Sequence, residues 1–520
     1  MNARNLVFGL VACAATPALP QLSLLDPGFG QGGQVSPQLS ASGPDRAGGL
    51  ALLPDGRVLV AARRGGSSPA LVAMRLQPDG SFDTDFSQNG IAPVQIGQYG
   101  EGRAIAALPD GSVLLAGNAY FDGTFNDLAV ARFTPAGVLD VSFGAQGVAV
   151  FADPGAQDVV ESLVPLADGR VQLGGRFDGA RARMMAARLT AQGTLDASFG
   201  VGGIFRTADT TGESATTMLV RSSGEVVLGG SWQADLPTAD LAVLQLTADG
   251  AQDPAFGTNG LFHPDQPGST GDVVWMKEAE DGRLYIAGQR YLPGGTVLHH
   301  YIGRLTGTGD WDDTFGTNGR VTIAVSAPWL ADLRDVVLRP DGRFVLAFNA
   351  INSDDASAAF LVMRLLADGS PDPAFGEGGQ VVMPCPGQGC GLEAIALQPD
   401  NKVVAVGYRV DGSATRALVQ RWLPEAYQVG LDEEGAIGDA LPYPVPCSDG
   451  LWLPGRVGGG PPPSIEWVDP MGRVRVVSGM PNGASGSLWI PVPEDAANGL
   501  HFLRILSPHG ITVQTVHVVR

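Results

Sequence analysis

The sequence predicts an all-β fold: a seven-bladed β-propeller of four-stranded blades over residues 21–426, followed by a small β-sandwich over 427–520. Three observations lead there. Glycine (73) and proline (38) are abundant in the 520 residues and long stretches of helical hydrophobic period are missing, so turns must be frequent. A phrase typified by "LDASFGVGG" (195–203) recurs seven times at a period of about 57 residues. Between its copies a hairpin signal recurs, two apolar runs around Asp-Gly, as in "IAALPDGSVLLAG" (105–117).

Each repeat resolves into four strands. The Asp-Gly hairpin supplies the first two, a run such as "LVAMRLQPDG" (71–80) the third, and the residues after the phrase the fourth. Within the phrase, Phe29, Phe86, Phe143, Phe199, Phe256, Phe315 and Phe375 are suited to packing between blades. The phrase Asp follows a tight turn, where a carboxylate accepts backbone N–H bonds. An Arg stands eight residues before it, which predicts the pairs Arg75–Asp83, Arg132–Asp140, Arg188–Asp196, Arg304–Asp312 and Arg364–Asp372. Arg421 ends the last third strand, and Gln245 takes the place of Arg in the fourth repeat. These are structural roles, since every repeat carries them. The first phrase precedes the first three-strand unit and none follows the last, so the strand at about 33–38 should complete the final blade beside 415–422.

The two phrases in register over about 25–426 resemble the delta-60 repeat family of bacterial β-propellers. The resemblance implies a propeller and an exported location, and lends no catalytic residues. Three positions depart from the pattern: Ser87 and Asn401 replace glycines and Ser223 replaces a turn Asp, which predicts looser turns there.

After residue 426 the period stops, and short strand-like runs follow with Trp452, Trp467 and Trp489 among or near them. A generic Ig-like sandwich accounts for them; the segment also resembles, loosely, the C-terminal sorting domain of type IX secretion cargo. At the other end, "MNARNLVFGLVACAATPALPQ" reads as a signal peptide (1–20), cleaved near Ala18 or processed as a lipoprotein at Cys13. The protein is therefore expected to be secreted, periplasmic or at the cell surface. Cys385 and Cys390 close a Pro/Gly loop and are expected to form a disulfide; Cys447 is left over.

A net charge of −20 removes the electrostatic term that nucleic-acid binding requires. No apolar run reaches the roughly 20 residues of a spanning helix. Gly28–Gly33 satisfies G-x-G-x-x-G, but no helical pattern follows it. His299 and His300 are adjacent, so on a strand they face opposite ways and do not ligate one metal. No hydrolase, zincin or Walker motif occurs, and no cofactor is identified. The variable loops should share one face with Asp45, Glu101, Asp158, Glu213, Asp272, Asp332 and Glu393. These acids are the candidate site for Ca2+ or a cationic ligand at the channel mouth, and solvated loop surface is the competing reading. The leading expectation is a monomeric, non-enzymatic binding scaffold for a protein, glycan or cationic partner. The alternatives are a channel-mouth enzyme, acting on carbohydrate, and a purely structural surface protein.

Overall fold

The computed structural model describes residues 21–429 apart from 42, 68, 123–124, 153–156, 180, 209–211, 234–239, 265–269 and 292–296, and beyond them mainly the strands between Gly450 and Val518. Residues 1–20, the expected signal peptide with Cys13, and Cys447 lie outside the described residues. Leu22–Tyr427 forms one compact unit, and the strands from Gly450 onward belong to a second.

In the first unit the described strands make seven sheets, one per repeat. The first runs Arg46–Leu52, Val58–Arg64, Ala70–Leu76 and Ile91–Val94 from inside to outside, each antiparallel to the last. Successive innermost strands pack side by side, and the last, Gly389–Leu397, packs against the first, so the sheets close into a ring. The seventh blade is completed from the far end of the chain. Gln34 and Val35 pair with Gln420 and Val419, and Gln21–Leu25 adds to the same third strand, Ala414–Val429.

Hydrophobic burial drives this arrangement because the cores lie between blades. Leu114, Val130 and Phe143 of the second blade share a cluster with Val160, Leu173 and Met185 of the third. Val58, Val60 and Val72 of the first blade pack with Val404, Val406 and Val419 of the seventh, and Phe29 seals that seam. All seven phrase phenylalanines are at most 2% exposed.

The phrase works as a latch to the following blade. Phe143 fills the space beside Gly193, where a Cβ would stand 2.9 Å from the ring, and Gly144 N–H donates to Gln192 O at 2.8 Å. The departures do not loosen it. Ser87 adopts φ 48° where Gly144 has 54°, and its N–H donates to Ala136 O at 2.8 Å. Asn401 adopts φ 64° and keeps the turn bond to Gln398 O at 2.9 Å, the same length as Gly56 to Leu53. Asn tolerates the left-handed region, so the expectation of looser turns is corrected there. At Ser223 the neighbouring Gly224 keeps its bond to Arg221 O at 2.9 Å.

In the second unit the described strands form a three-stranded and a four-stranded sheet, compatible with a small sandwich. Ile465, Trp467, Ile490 and Leu503 are buried, and Trp452 and Trp489 are register partners.

Candidate functional site

The Asp of each phrase is a charge anchor. Arg75 Nε donates to Asp83 at 2.6 Å, Arg132 to Asp140 at 2.7 Å, Arg304 to Asp312 at 2.6 Å, Arg364 to Asp372 at 2.8 Å and Arg421 to Asp26 at 2.8 Å. Gln245 Nε2 takes the same role toward Asp253 at 2.7 Å. The guanidiniums also reach the next blade: Arg75 donates to Pro135 O and Arg132 to Ala191 O, each at 2.8 Å, and Arg421 donates to Pro78 O across the seam. Arg188 departs from the expected pair. Its Nε donates to Gln172 Oε1 at 3.0 Å, and Asp196 is held by Arg170 at 3.0 Å. The cause is Gln172, a buried amide where the other blades carry Leu, Val or Tyr.

A second cation on the anchor escaped the sequence reading. The residue after the first hairpin turn reaches the phrase Asp in five blades: Arg57, Arg170, Arg283, Arg343 and Lys402 come within 2.9–3.2 Å of Asp83, Asp196, Asp312, Asp372 and Asp26. A hydroxyl bond from Thr314, with its backbone N–H and Arg304, lowers the Asp312 carboxyl to about 2 against a small burial cost.

The innermost strands are Arg46–Leu52, Tyr99–Ala107, Gln157–Pro165, Gly212–Val220, Thr270–Glu278, Trp329–Leu338 and Gly389–Leu397. All seven carry a β-bulge at the same register, leaving Gly48, Arg103, Glu161, Thr216, Val274, Arg334 and Glu393 unpaired. A bulge re-aims its side chain away from the pleat. Here four charged groups meet. Arg103 Nη1 lies 3.2 Å from Glu161 Oε2, and Arg334 Nη2 lies 2.9 Å from Glu393 Oε2. Glu393 and Arg334, on the seventh and sixth blades, act on Arg103 of the second, which places all of them around the ring axis. Burial opposes the charge of Arg103, and Glu161, Glu101 and Glu393 more than offset it. Burial raises the Glu161 carboxyl despite Arg103 and Arg176.

The structure does not gather the seven candidate acids into one equivalent ring. Asp45, Asp158 and Glu213 stand three residues before the bulge and are buried. Asp45 accepts N–H bonds from Leu39 and Ser40 at 2.9 Å and from Gly65 at 3.0 Å, tying two loops together. Glu213 accepts from Thr207 Oγ1 at 2.5 Å and Trp232 Nε1 at 3.1 Å. Glu101, Asp272 and Asp332 stand two residues before the bulge, hence on the opposite strand face, and Glu393 is the bulge residue itself. Glu101 lies 3.8 Å from Arg103, and Asp332 lies 3.3 Å from Arg334, so these two join the channel charges.

Asp272 and Asp332 sit on adjacent innermost strands. Burial, and then the neighbouring Asp332 charge, push the Asp272 carboxyl up to about 7. Asp332 accepts from Gln289 Nε2 at 2.8 Å. Burial also drives Asp335 to about 7, although it accepts N–H bonds at 2.8 Å from Val336 and, across the blade boundary, Ile395. His300 is buried with Nε2 3.1 Å from Ala331 O, and burial lowers it to about 4. His299 faces the other way, into a separate pocket. No cluster of three or more metal-ligating side chains occurs among the described residues.

Asp335 carries a pH prediction. Its folded pKa exceeds the ordinary carboxyl value, so the stability it contributes is complete below about pH 4 and is lost as pH rises toward 7. Asp335→Asn removes that dependence. The variant should be the less stable at pH 4, and the gap in melting temperature should close between pH 4 and 7 and stay constant above. A gap independent of pH contradicts the assignment.

Cys385 and Cys390 are disulfide-bonded with Cα atoms 5.7 Å apart. No helix among the described residues is long and apolar enough to cross a membrane.

No curated protein matches the chain. Among solved structures it is similar to a protein of unknown function from Dyadobacter fermentans, with 11% identity over 76% of this chain and 99% of that one and a TM-score of 0.39. It is similar to the β-propeller domain of the Trilobed protease from Pyrococcus furiosus at 9% identity, 74% and 95% coverage and TM-score 0.39. A GH43_1 enzyme from Xanthomonas citri matches at 11% identity, 74% and 90% coverage and TM-score 0.26. A family model described as "Domain of unknown function (DUF5122) beta-propeller" matches residues 53–86, 108–143, 166–199 and 339–375, segments that run from the first hairpin turn of a blade to its phrase Phe.

Proposed function

We propose that the protein is an exported binding scaffold whose ligand sits at the central channel. The observation that carries this reading is the bulge. Residues that repeat in every blade are absorbed by folding, whereas the bulge position has one geometry and a free choice of side chain, from Gly48 to Arg103, Glu161 and Val274. Variation on a fixed scaffold is where recognition is built. With Glu101 and Asp332 included, four carboxylates stand against three guanidiniums, Arg103, Arg334 and Arg176, the last also held by Asp178. That balance favours a cationic group, a polyamine or Ca2+, on a larger partner. The apolar lead before Gln21 and the Cys385–Cys390 bond support an oxidising location.

The test uses Glu101→Gln, Glu161→Gln, Asp332→Asn and Glu393→Gln combined. The wild type should bind spermidine or Ca2+ by calorimetry, and the combined variant should lose at least tenfold in affinity, ~1.4 kcal/mol, with the melting temperature little changed. Absence of binding by the wild type, or equal binding by both proteins, overturns the reading.

The enzymatic reading is favoured by one observation. Burial and the Asp332 charge push the Asp272 carboxyl up to about 7, so it can serve as a proton donor near neutrality. Hydrolysis of a chromogenic glycoside that Asp272→Asn abolishes would support this second reading over the first.

A further inference from the structure

The outer part of the fifth blade holds a pocket away from the channel acids, and it differs from the rest of this acidic protein in its lining. Arg290, His299 and Arg320 supply cationic or protonatable groups, Tyr301 and Trp311 aromatic walls, Thr322 a hydroxyl, and Leu241 of the fourth blade the far side. Strand geometry gathers them. His299 and Tyr301 are two apart on Val297–Leu305, and Arg320 and Thr322 are two apart on Arg320–Ile323, so each pair shares a face. The register sets Arg290 opposite His299 and Tyr301 opposite Thr322. Trp311 occupies the phrase position that is Leu in the second and third blades.

Among the described residues, no acidic side chain lines the pocket. Arg290 and Arg320 act on each other and on His299, whose protonation burial and both guanidiniums disfavour. Asp240, on the neighbouring blade, compensates Arg290. Arg320 lies over Trp311 at 5.6 Å and has no carboxylate within ion-pair distance among the described residues, in a chain of net charge −20. Tyr301 spends its hydroxyl on Asp272 O at 2.7 Å.

The third blade indicates what such a pocket accommodates. By register, Phe177 corresponds to Arg290, Arg183 to His299, Met185 to Tyr301 and Arg206 to Thr322. There the Phe177 ring lies between two guanidiniums, with Arg183 at 4.3 Å and Arg206 at 4.1 Å from its centroid. In the fifth blade a cavity of about 170 Å³ takes this place, with Arg290 at the position of Phe177, His299 at that of Arg183 and Arg320 two residues before the counterpart of Arg206. A cavity of about 150 Å³ takes one benzene ring.

We propose that the Arg290–Arg320 pocket binds a carboxylate borne on a single six-membered ring, the carboxylate on Arg320 and the ring against Tyr301 and Trp311. This site is independent of the channel reading, so either can fail alone. An aromatic acid and a sugar acid share this chemistry, and calorimetry with benzoate, glucuronate and their neutral counterparts benzamide and glucose separates the two sources. At least one acid should bind, at least tenfold more tightly than its neutral partner, and should change Trp311 fluorescence, a signal that Trp311→Phe removes. Arg320→Gln should weaken the acid at least tenfold, whereas Arg320→Lys, which keeps the charge, should retain most of the affinity. The proposal is overturned if neither acid binds the wild type up to about 10 mM, on the order of −3 kcal/mol, if the neutral ring binds equally well, or if Arg320→Gln binds as the wild type does. Should Arg320→Gln not fold, the acid-against-neutral comparison and the Trp311 signal in the wild type decide alone.

Discussion

Deleting residues 21–35 should open the ring and split its unfolding into more than one transition. The segment brings Leu24 and Phe29, both at most 1% exposed, and Asp26, which Arg421 Nε contacts at 2.8 Å. Its loss uncovers the edge of Ala414–Val429 and the cluster that joins the first and seventh blades. Phe29→Ala alone should cost about 3–5 kcal/mol, the usual loss for a buried Phe. Phe256→Ala, equally buried within the fourth blade's latch, should cost a similar amount. Urea unfolding distinguishes the effects. Both point variants should move a single midpoint, while the deletion should also lower the slope because the transition is no longer shared by the whole ring. A deletion variant that unfolds at the wild-type midpoint with the wild-type slope would show that the clasp carries no stability.

Arg364→Ala should be the most damaging of the charge removals. Arg364 and Asp372 are each 3% exposed at the side chain, and Arg364 also donates to Pro424 O at 2.7 Å. Removing one partner of a buried pair strands the other, at a cost of about 3–5 kcal/mol. Arg343, 3.2 Å from Asp372, remains to compensate it, which puts the expectation near the lower bound, about 3 kcal/mol. The exposed pair Arg283–Asp281 should contribute less than about 1 kcal/mol. The Arg364 effect should also shrink in acid. Hydrogen bonds from Ala374 N–H and Arg364 outweigh burial and hold the Asp372 carboxyl below its ordinary value. Its stabilisation is therefore complete above about pH 4 and fades as pH falls through the lowered folded pKa. Equal losses for Arg364→Ala and for Asp281→Asn, which removes only the exposed pair, at neutral pH would refute the buried-pair account.

The ring was legible because its parts repeat. A Phe or Gly that returns in every copy marks a position fixed by packing or by backbone sign, and the Ser87 and Asn401 exceptions keep a positive φ. The cation that reaches five of the anchors from the first hairpin was harder to see. Arg57 lies 26 residues from Asp83, in a different hairpin, although a Lys or Arg after the turn recurs in five blades. The bulge residues left no compositional trace, since Gly48, Arg103 and Val274 share only a slip in register. That slip also undid the seven-acid ring. Asp158 and Asp272 look alike at the head of their strands, yet a shift of one residue turns one inward and the other toward the channel side.

The clasp also sets an order of events for the chain. Gln34 finds its partner Gln420 only after 386 further residues exist. Six blades are complete in themselves, each touching only its neighbours, and they can fold in succession as a linear array. The seventh cannot, so the amino-terminal strands must wait, unpaired, until the carboxyl-terminal end of the propeller emerges. Ring closure should then be the final and slowest contact, because its loop is the longest in the fold. A circular permutant that joins residues 426 and 21 and opens the chain between the strands Val226–Gln233 and Asp240–Leu246 would turn the seventh blade into a local unit and make the fourth blade the one assembled from both ends.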